Sequence, residues 1–146
     1  MAPKSKIILI SIALLFIVGI VGSFSMRFFT KPREIKIGLL FPLTGELQDY
    51  GKAARDGAIL AINEFNLQQK RIKIIPEIKN QEGKKEKTEA MMKELIEDEK
   101  VVGVIGPLIS SNTFAAGEIA QREGIVLITP SATHSKISDL GDYIFR

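Results

Sequence analysis

From residue 34 onward the apolar positions of this chain alternate between short unbroken runs and stripes at helical spacing. Short runs rich in β-branched residues suit strands covered on both faces, and stripes recurring every three or four residues suit the helices that cover them, so the alternation predicts βαβ units. IKIGLLF, residues 35–41, reads as the first strand and runs into Pro42 and then Thr44-Gly45, a turn. Residues 51–66 follow as a helix, with Ala54, Ala58, Ala61 and Phe65 as the inward stripe; its small residues allow close approach to a sheet. RIKIIPEI, residues 71–78, is the second strand. Pro76 has no N–H to give to a ladder, which assigns this strand to an edge or ends it there.

A second helix over residues 85–98 places Thr88, Met91, Met92, Leu95 and Ile96 on one face, the methionines as core filler rather than a ligand box. VVGVIG, residues 101–106, is the third strand. The third helix covers Asn112 to Glu123 and closes at Gly124, the residue type that tolerates a left-handed C-cap. IVLIT, residues 125–129, is the fourth strand, and residues 143–145 begin a fifth. This order predicts an α/β fold with a right-handed, doubly wound parallel sheet.

The pattern upstream is of another kind. Residues 7–26 are uncharged and almost wholly apolar behind Lys4 and Lys6, with Arg27, Lys31 and Arg33 on the far side. A run of about 20 apolar residues is long enough to span a bilayer and longer than the middle of a secretory signal. No A-x-A cleavage site follows, so an uncleaved signal-anchor is favoured over a cleaved signal peptide. Residues 1–33 are therefore set apart as a membrane or export segment, and residues 34–146 as an exported, extracytoplasmic domain.

That division changes the meaning of the charge. The chain has 20 Lys and Arg against 17 Asp and Glu, a net +3, but five of the basic residues and none of the acidic ones lie in residues 1–33. The domain itself carries 15 basic and 17 acidic side chains and has no nucleic-acid footprint. The run GKKEKTE, residues 83–89, mixes signs near a helix start and reads as a solvated face. Without cysteine, the domain holds together by packing and not by disulfides.

Candidate chemistry lies where two strands end. Ser110, Ser111, Asn112 and Thr113 sit between the third strand and the third helix, and Ser131, Ala132 and Thr133 follow the fourth strand. Open parallel sheets bind ligands beyond the carboxyl ends of their strands, where helix N-termini offer free N–H groups and a dipole that favours an anion. Neighbouring loops of this kind suit a small carboxylate. Ser, Asn and Thr are equally the ordinary N-cap residues, and a cap needs no ligand. GPLISSNT lacks the glycine spacing and the lysine of a phosphate loop, and no G-x-G-x-x-G follows the first strand, which disfavours a nucleotide cofactor. Nothing marks an enzyme or a metal site: His134 is the single histidine, cysteine is absent, and no carboxylate pair is placed at a strand end.

In order along the chain stand P-L-T-G, Y-G, D-G-A, I-G-P with S-S, T-P-S-A-T and Y-I-F-R. In these motifs the sequence resembles the first lobe of the type I periplasmic binding proteins, specifically the leucine/isoleucine/valine-binding family that serves branched-chain amino-acid ABC transporters. The likeness covers nearly all of residues 34–146. It implies a Rossmann-like lobe in which Ser110 and Thr133 hold the α-carboxylate of an amino acid, Ser131 offers its carbonyl to the α-ammonium, and Tyr50 packs beside the ligand. Ser111 and Ala132 belong to the same two loops and join the set. The family's second lobe would be missing, and KNQEG, residues 79–83, stands where its acidic loop is usual; LQQKR replaces its glycine pair, and no lipid-anchor cysteine is present.

Two functions follow as expectations. The first is the extracytoplasmic solute-binding component of an ABC-type amino-acid importer, partial or truncated, with a permease as partner and an affinity for a small amino acid no tighter than about millimolar in half a cleft. The alternative is a membrane-anchored sensing or interaction module built on one such lobe. Self-association is expected where the missing lobe leaves surface bare.

Overall fold

Arg33–Phe41 and Ile72–Asn80, here β1 and β2, pair in parallel over nine positions from Arg33 opposite Ile72 to Phe41 opposite Asn80. In the computed structural model, which describes residues 14–16 and 31–146, they form one side of a five-stranded sheet. The other strands are β3 (Gly103–Ile105), β4 (Val126–Ile128) and β5 (Ile144–Phe145), in the order β2-β1-β3-β4-β5 with every pairing parallel. Helices α1 (Gln48–Gln68), α2 (Lys85–Glu97) and α3 (Ser110–Glu123) make the crossovers, and a 3-10 helix, Ser135–Asp139, leads into β5. This is the predicted doubly wound parallel sheet.

Residues 14–16 are helical, and the rest of the predicted anchor, residues 7–26, lies outside the described residues. Among the described residues no helix is long and apolar enough to cross a membrane. Residues 1–32 and 33–146 separate as two units.

The alternation of β1 decides which helix covers which face. Leu40 points into one core with Val104, Leu127 and Ile144, closed by Met92 and Leu95 of α2 and by Ala116, Ile119 and Ala120 of α3. Leu39 and Phe41 point the other way, into a smaller core with Ile62 of α1 and Leu108. Each Leu, Ile, Val, Met or Phe side chain buried there contributes roughly 1.5–3 kcal/mol. The stripe read on α2 is the one that packs: Thr88, Met92 and Leu95 are buried, and Met91 and Ile96 are half-buried.

On α1 the inward face differs from the expected one. Gly51 and Ile62 are buried, with Ala54, Ala58 and Ile59 beside them, whereas Ala61 and Phe65 are exposed. Ile59 and Ile62 bring more apolar surface than Ala61, and Phe65, at 36% exposure, still keeps most of its ring covered with the helix turned to bury them. Pro76 does lie on an edge strand, and a neighbour shows why it is tolerated. The Asn66 side chain donates to the Ile74 carbonyl at 2.8 Å and accepts from the Ile74 N–H at 2.7 Å, so Ile74 faces away from β1. Pro76, two residues on, faces the same open side, where no ladder donor is needed.

β3 takes Gly103–Ile105 of the apolar run 101–106 and ends where the chain turns at Gly106 with φ +110°. A Cβ there would stand 2.2 Å from the Leu40 carbonyl oxygen. Gly124 ends α3 with φ +66°, as expected for a left-handed C-cap.

Candidate functional site

Strand order reverses at β1, since the chain leaves it by α1 toward β2 and returns past it by α2 to β3. Such a reversal parts the loops beyond the two strand ends and leaves a crevice. A cavity of about 230 Å³ lies there, lined by Leu47 and Tyr50 from the β1–α1 side, Leu108 and Ile109 from the loop before α3, and Ser131 from the loop after β4.

Hydrogen bonds between loops build this mouth. The buried Thr129 hydroxyl donates to the Pro107 carbonyl at 2.6 Å and accepts the Ala132 N–H at 3.2 Å. Ser131 Oγ donates to the Leu108 carbonyl at 2.9 Å. The His134 N–H donates to Ser110 Oγ at 3.3 Å, which brings the start of α3 against the end of the β4 loop. The two hydroxyl clusters of the sequence are therefore neighbours, on one rim.

Each predicted residue can be placed. Ser110 is half-buried on the first residue of α3, and Ser111 is exposed beside it. Ala132 is buried with its N–H engaged, while Ser131 and Thr133 are exposed on either side of it. Tyr50 is 72% exposed on the first turn of α1 and shares the cavity wall with Ser131. The hydroxyls do not act as caps in the ordinary way: Ile109 holds the N-cap position of α3, and no side chain caps it. Thr113 Oγ1 donates back to the Ile109 carbonyl instead. The first-turn N–H groups of α3 therefore keep the donor capacity that helix geometry leaves them. A carboxylate meeting them and the Ser110 hydroxyl would gain charge-assisted hydrogen bonds.

Other residues at the mouth were not singled out by sequence reasoning. Thr129 ends an apolar run, and a hydroxyl at a strand's carboxyl end was the available signal. Gln81 gave none; it is fully buried and accepts the Asn112 side-chain N–H on its Oε1 at 3.0 Å. His134 turns out to be structural: Nδ1 accepts the Lys136 N–H at the start of the 3-10 helix, and the ring meets Phe114 edge-on at 5.2 Å.

The nearby charged loop neutralises itself. Lys87 and Lys84 hold the Glu82 carboxyl below its ordinary range, chiefly through hydrogen bonds. Among the described residues no group of three or more His, Asp or Glu side chains comes together to hold a metal.

Comparison with known proteins adds to this geometry. The chain is 34% identical over 115 residues to the leucine-, isoleucine-, valine-, threonine- and alanine-binding protein of Pseudomonas aeruginosa, covering 77% of this chain and 31% of that protein. It is 26% identical over 110 residues to the Leu/Ile/Val-binding protein BraC3 of Rhizobium johnstonii, covering 74% and 30%. Among solved structures, it is similar to the branched-chain amino-acid transporter substrate-binding protein LivJ of Streptococcus pneumoniae in complex with isoleucine, with TM-score 0.70, 34% identity and coverage of 77% and 33%. A solute-binding protein of an ABC transporter from Rhodopseudomonas palustris, in complex with 3,4-dihydroxybenzoic acid, matches with TM-score 0.71, 27% identity and coverage of 77% and 32%. The chain thus spans about a third of the length of these relatives. The periplasmic binding protein family itself matches residues 34–146, the whole of the sheet, its helices and the mouth between them, and the chain belongs to that family.

Proposed function

We propose that residues 34–146 receive the α-carboxylate of an amino acid with an apolar side chain, as the first-lobe portion of the extracytoplasmic solute-binding component of an ABC-type amino-acid importer. The observation that carries this reading is the contact of Ser110 with the β4 loop, 3.3 Å from Oγ to the His134 nitrogen, with Ser110 next in sequence to Ile109, which lines the cavity with Leu47, Tyr50, Leu108 and Ser131. Ser110, Ser111 and the first-turn N–H groups of α3 face the carboxylate together with Thr133. The Ser131 and Ala132 backbone lies beside the α-ammonium, and Leu47, Tyr50, Leu108 and Ile109 face the side chain. Relatives named for leucine, isoleucine and valine, and one solved with isoleucine, support the substrate class. The run at residues 7–26 supports tethering of the domain to the cytoplasmic membrane on its outer side, next to a permease partner.

With Ser131, Thr133 and Tyr50 open to water, affinity on this lobe is no tighter than about millimolar. Titration calorimetry on the full chain with L-leucine, L-isoleucine and L-leucinamide tests the reading. The two acids bind and the amide, which has no carboxylate, does not. Equal binding of L-leucine and its amide would sink the proposal.

A further inference from the structure

Gln81 and Asn112 are buried polar residues that meet under the mouth, from the loop after β2 and the first turn of α3. Asn112 is the third residue of α3, so its backbone belongs to the free N-terminal turn while its side chain points inward to Gln81 Oε1. Gln81 is itself fixed by the main chain: its N–H donates to the Phe41 carbonyl at the end of β1 (3.1 Å), and its carbonyl accepts the Lys84 N–H before α2 (2.9 Å). One side-chain bond therefore ties the opening turn of α3 to the ends of β1 and β2. The arrangement leaves one buried polar group unsatisfied. Gln81 Nε2 is buried and finds no hydrogen-bond partner among the described residues, and two facing apolar side chains of similar shape would leave no such unpaired donor. What the amide pair supplies and an apolar pair does not is direction.

We propose that Gln81 and Asn112 are positioning residues that fix the height and rotation of the first turn of α3, and so the aim of Ser110 and the free N–H groups at a ligand carboxylate. The ligand part rests on the amino-acid-binding reading above; the fixing of the turn does not. A donor set acts only when its supports hold it to within a fraction of an ångström of the anion.

The test compares the full wild-type chain with the Gln81→Met/Asn112→Leu double variant, which keeps the shapes and removes both amides. Three measurements are made: thermal unfolding, L-leucine affinity by calorimetry, and hydrogen exchange by NMR of the Thr113 amide. That amide donates to Ile109 in the first turn of α3; the Leu127 amide, which donates to Tyr143 in the sheet, is the control. The expected result is a Tm at or above that of wild type, Thr113 exchange about tenfold faster with Leu127 unchanged, and L-leucine affinity about tenfold weaker. Unchanged Thr113 exchange and unchanged affinity would overturn the proposal, leaving the pair as mere filler. If the double variant does not fold, Asn112→Ala removes the same bond, and the same split between Thr113 and Leu127 is required of it. A wild-type chain that binds no amino acid would defeat the binding reading alone, and Thr113 exchange would then decide this one.

Discussion

Ser110 Oγ accepts the backbone N–H of His134 at 3.3 Å, so the hydroxyl at the start of α3 is engaged as an acceptor, and among the described residues no group takes its own proton. A carboxylate arriving at the mouth would take that proton's hydrogen bond without breaking the one that joins the loops. Ser110→Ala is expected to weaken L-leucine binding by about 1.5–3 kcal/mol, roughly tenfold to a hundredfold. Because the bond to His134 is long, Tm should move by only about 2 °C. Calorimetry and a thermal melt on the same preparation check both halves. A large loss of Tm with unchanged affinity would make Ser110 a structural residue alone.

Gly51 offers a test of how α1 is seated. A Cβ on it would stand 1.8 Å from the Pro42 carbonyl oxygen, which is backbone and cannot swing aside. Gly51→Ala must therefore shift the first turn of α1, which carries Tyr50. Destabilisation of about 1–3 kcal/mol is expected from the forced shift, measured by urea denaturation. Gly57 supplies the control: among the described residues a Cβ there would meet nothing within 4 Å outside its own stretch of helix, so Gly57→Ala should be neutral or stabilising, since alanine favours a helix.

The edge of the sheet depends on Asn66. Its amide supplies both a donor and an acceptor to Ile74, replacing the strand that β2 lacks on that side. Asn66→Leu removes both bonds at a half-buried position and should lower stability by about 1–2 kcal/mol. Amide exchange at Ile74 should accelerate more than at Ile62, on the buried face of α1.

Acid sensitivity follows from the charges that straddle β1, β2 and α2. Lys36 bonds Glu77 and Glu99, each at 3.0 Å, and Lys79 bonds Glu94 and Glu99. Hydrogen bonds from Lys36 and then Lys79 hold the Glu99 carboxyl below its ordinary value of 4.5. A carboxyl depressed in the folded chain adds stability that is complete above its unfolded pKa and is lost as pH falls through the folded one. Wild type should therefore lose Tm as pH drops below about 4.5, more steeply than Glu99→Gln, and 1 M salt should narrow the difference. Parallel Tm curves for the two proteins would remove Glu99 from this account.

Much of the fold was legible along the chain, because period and turn chemistry are local. The apolar runs marked β1 to β5, Gly124 marked the end of α3, and Pro76 marked an edge strand. The face of α1 was read one step off, since Ala54 and Ala58 serve both the expected stripe and the real one. Only packing against Leu39 and Phe41 chose Ile62 over Ala61.

By itself the sequence determined the order and kind of the elements, and it put hydroxyl residues at the two strand ends where an anion could be met. Tertiary structure alone decided which of those groups meet. Ser110 and His134 lie 24 residues apart, and Gln81 and Asn112 lie 31 apart. Such pairs exist because the strand order sets the loops side by side, and no local pattern records a distance that is created only when the sheet closes.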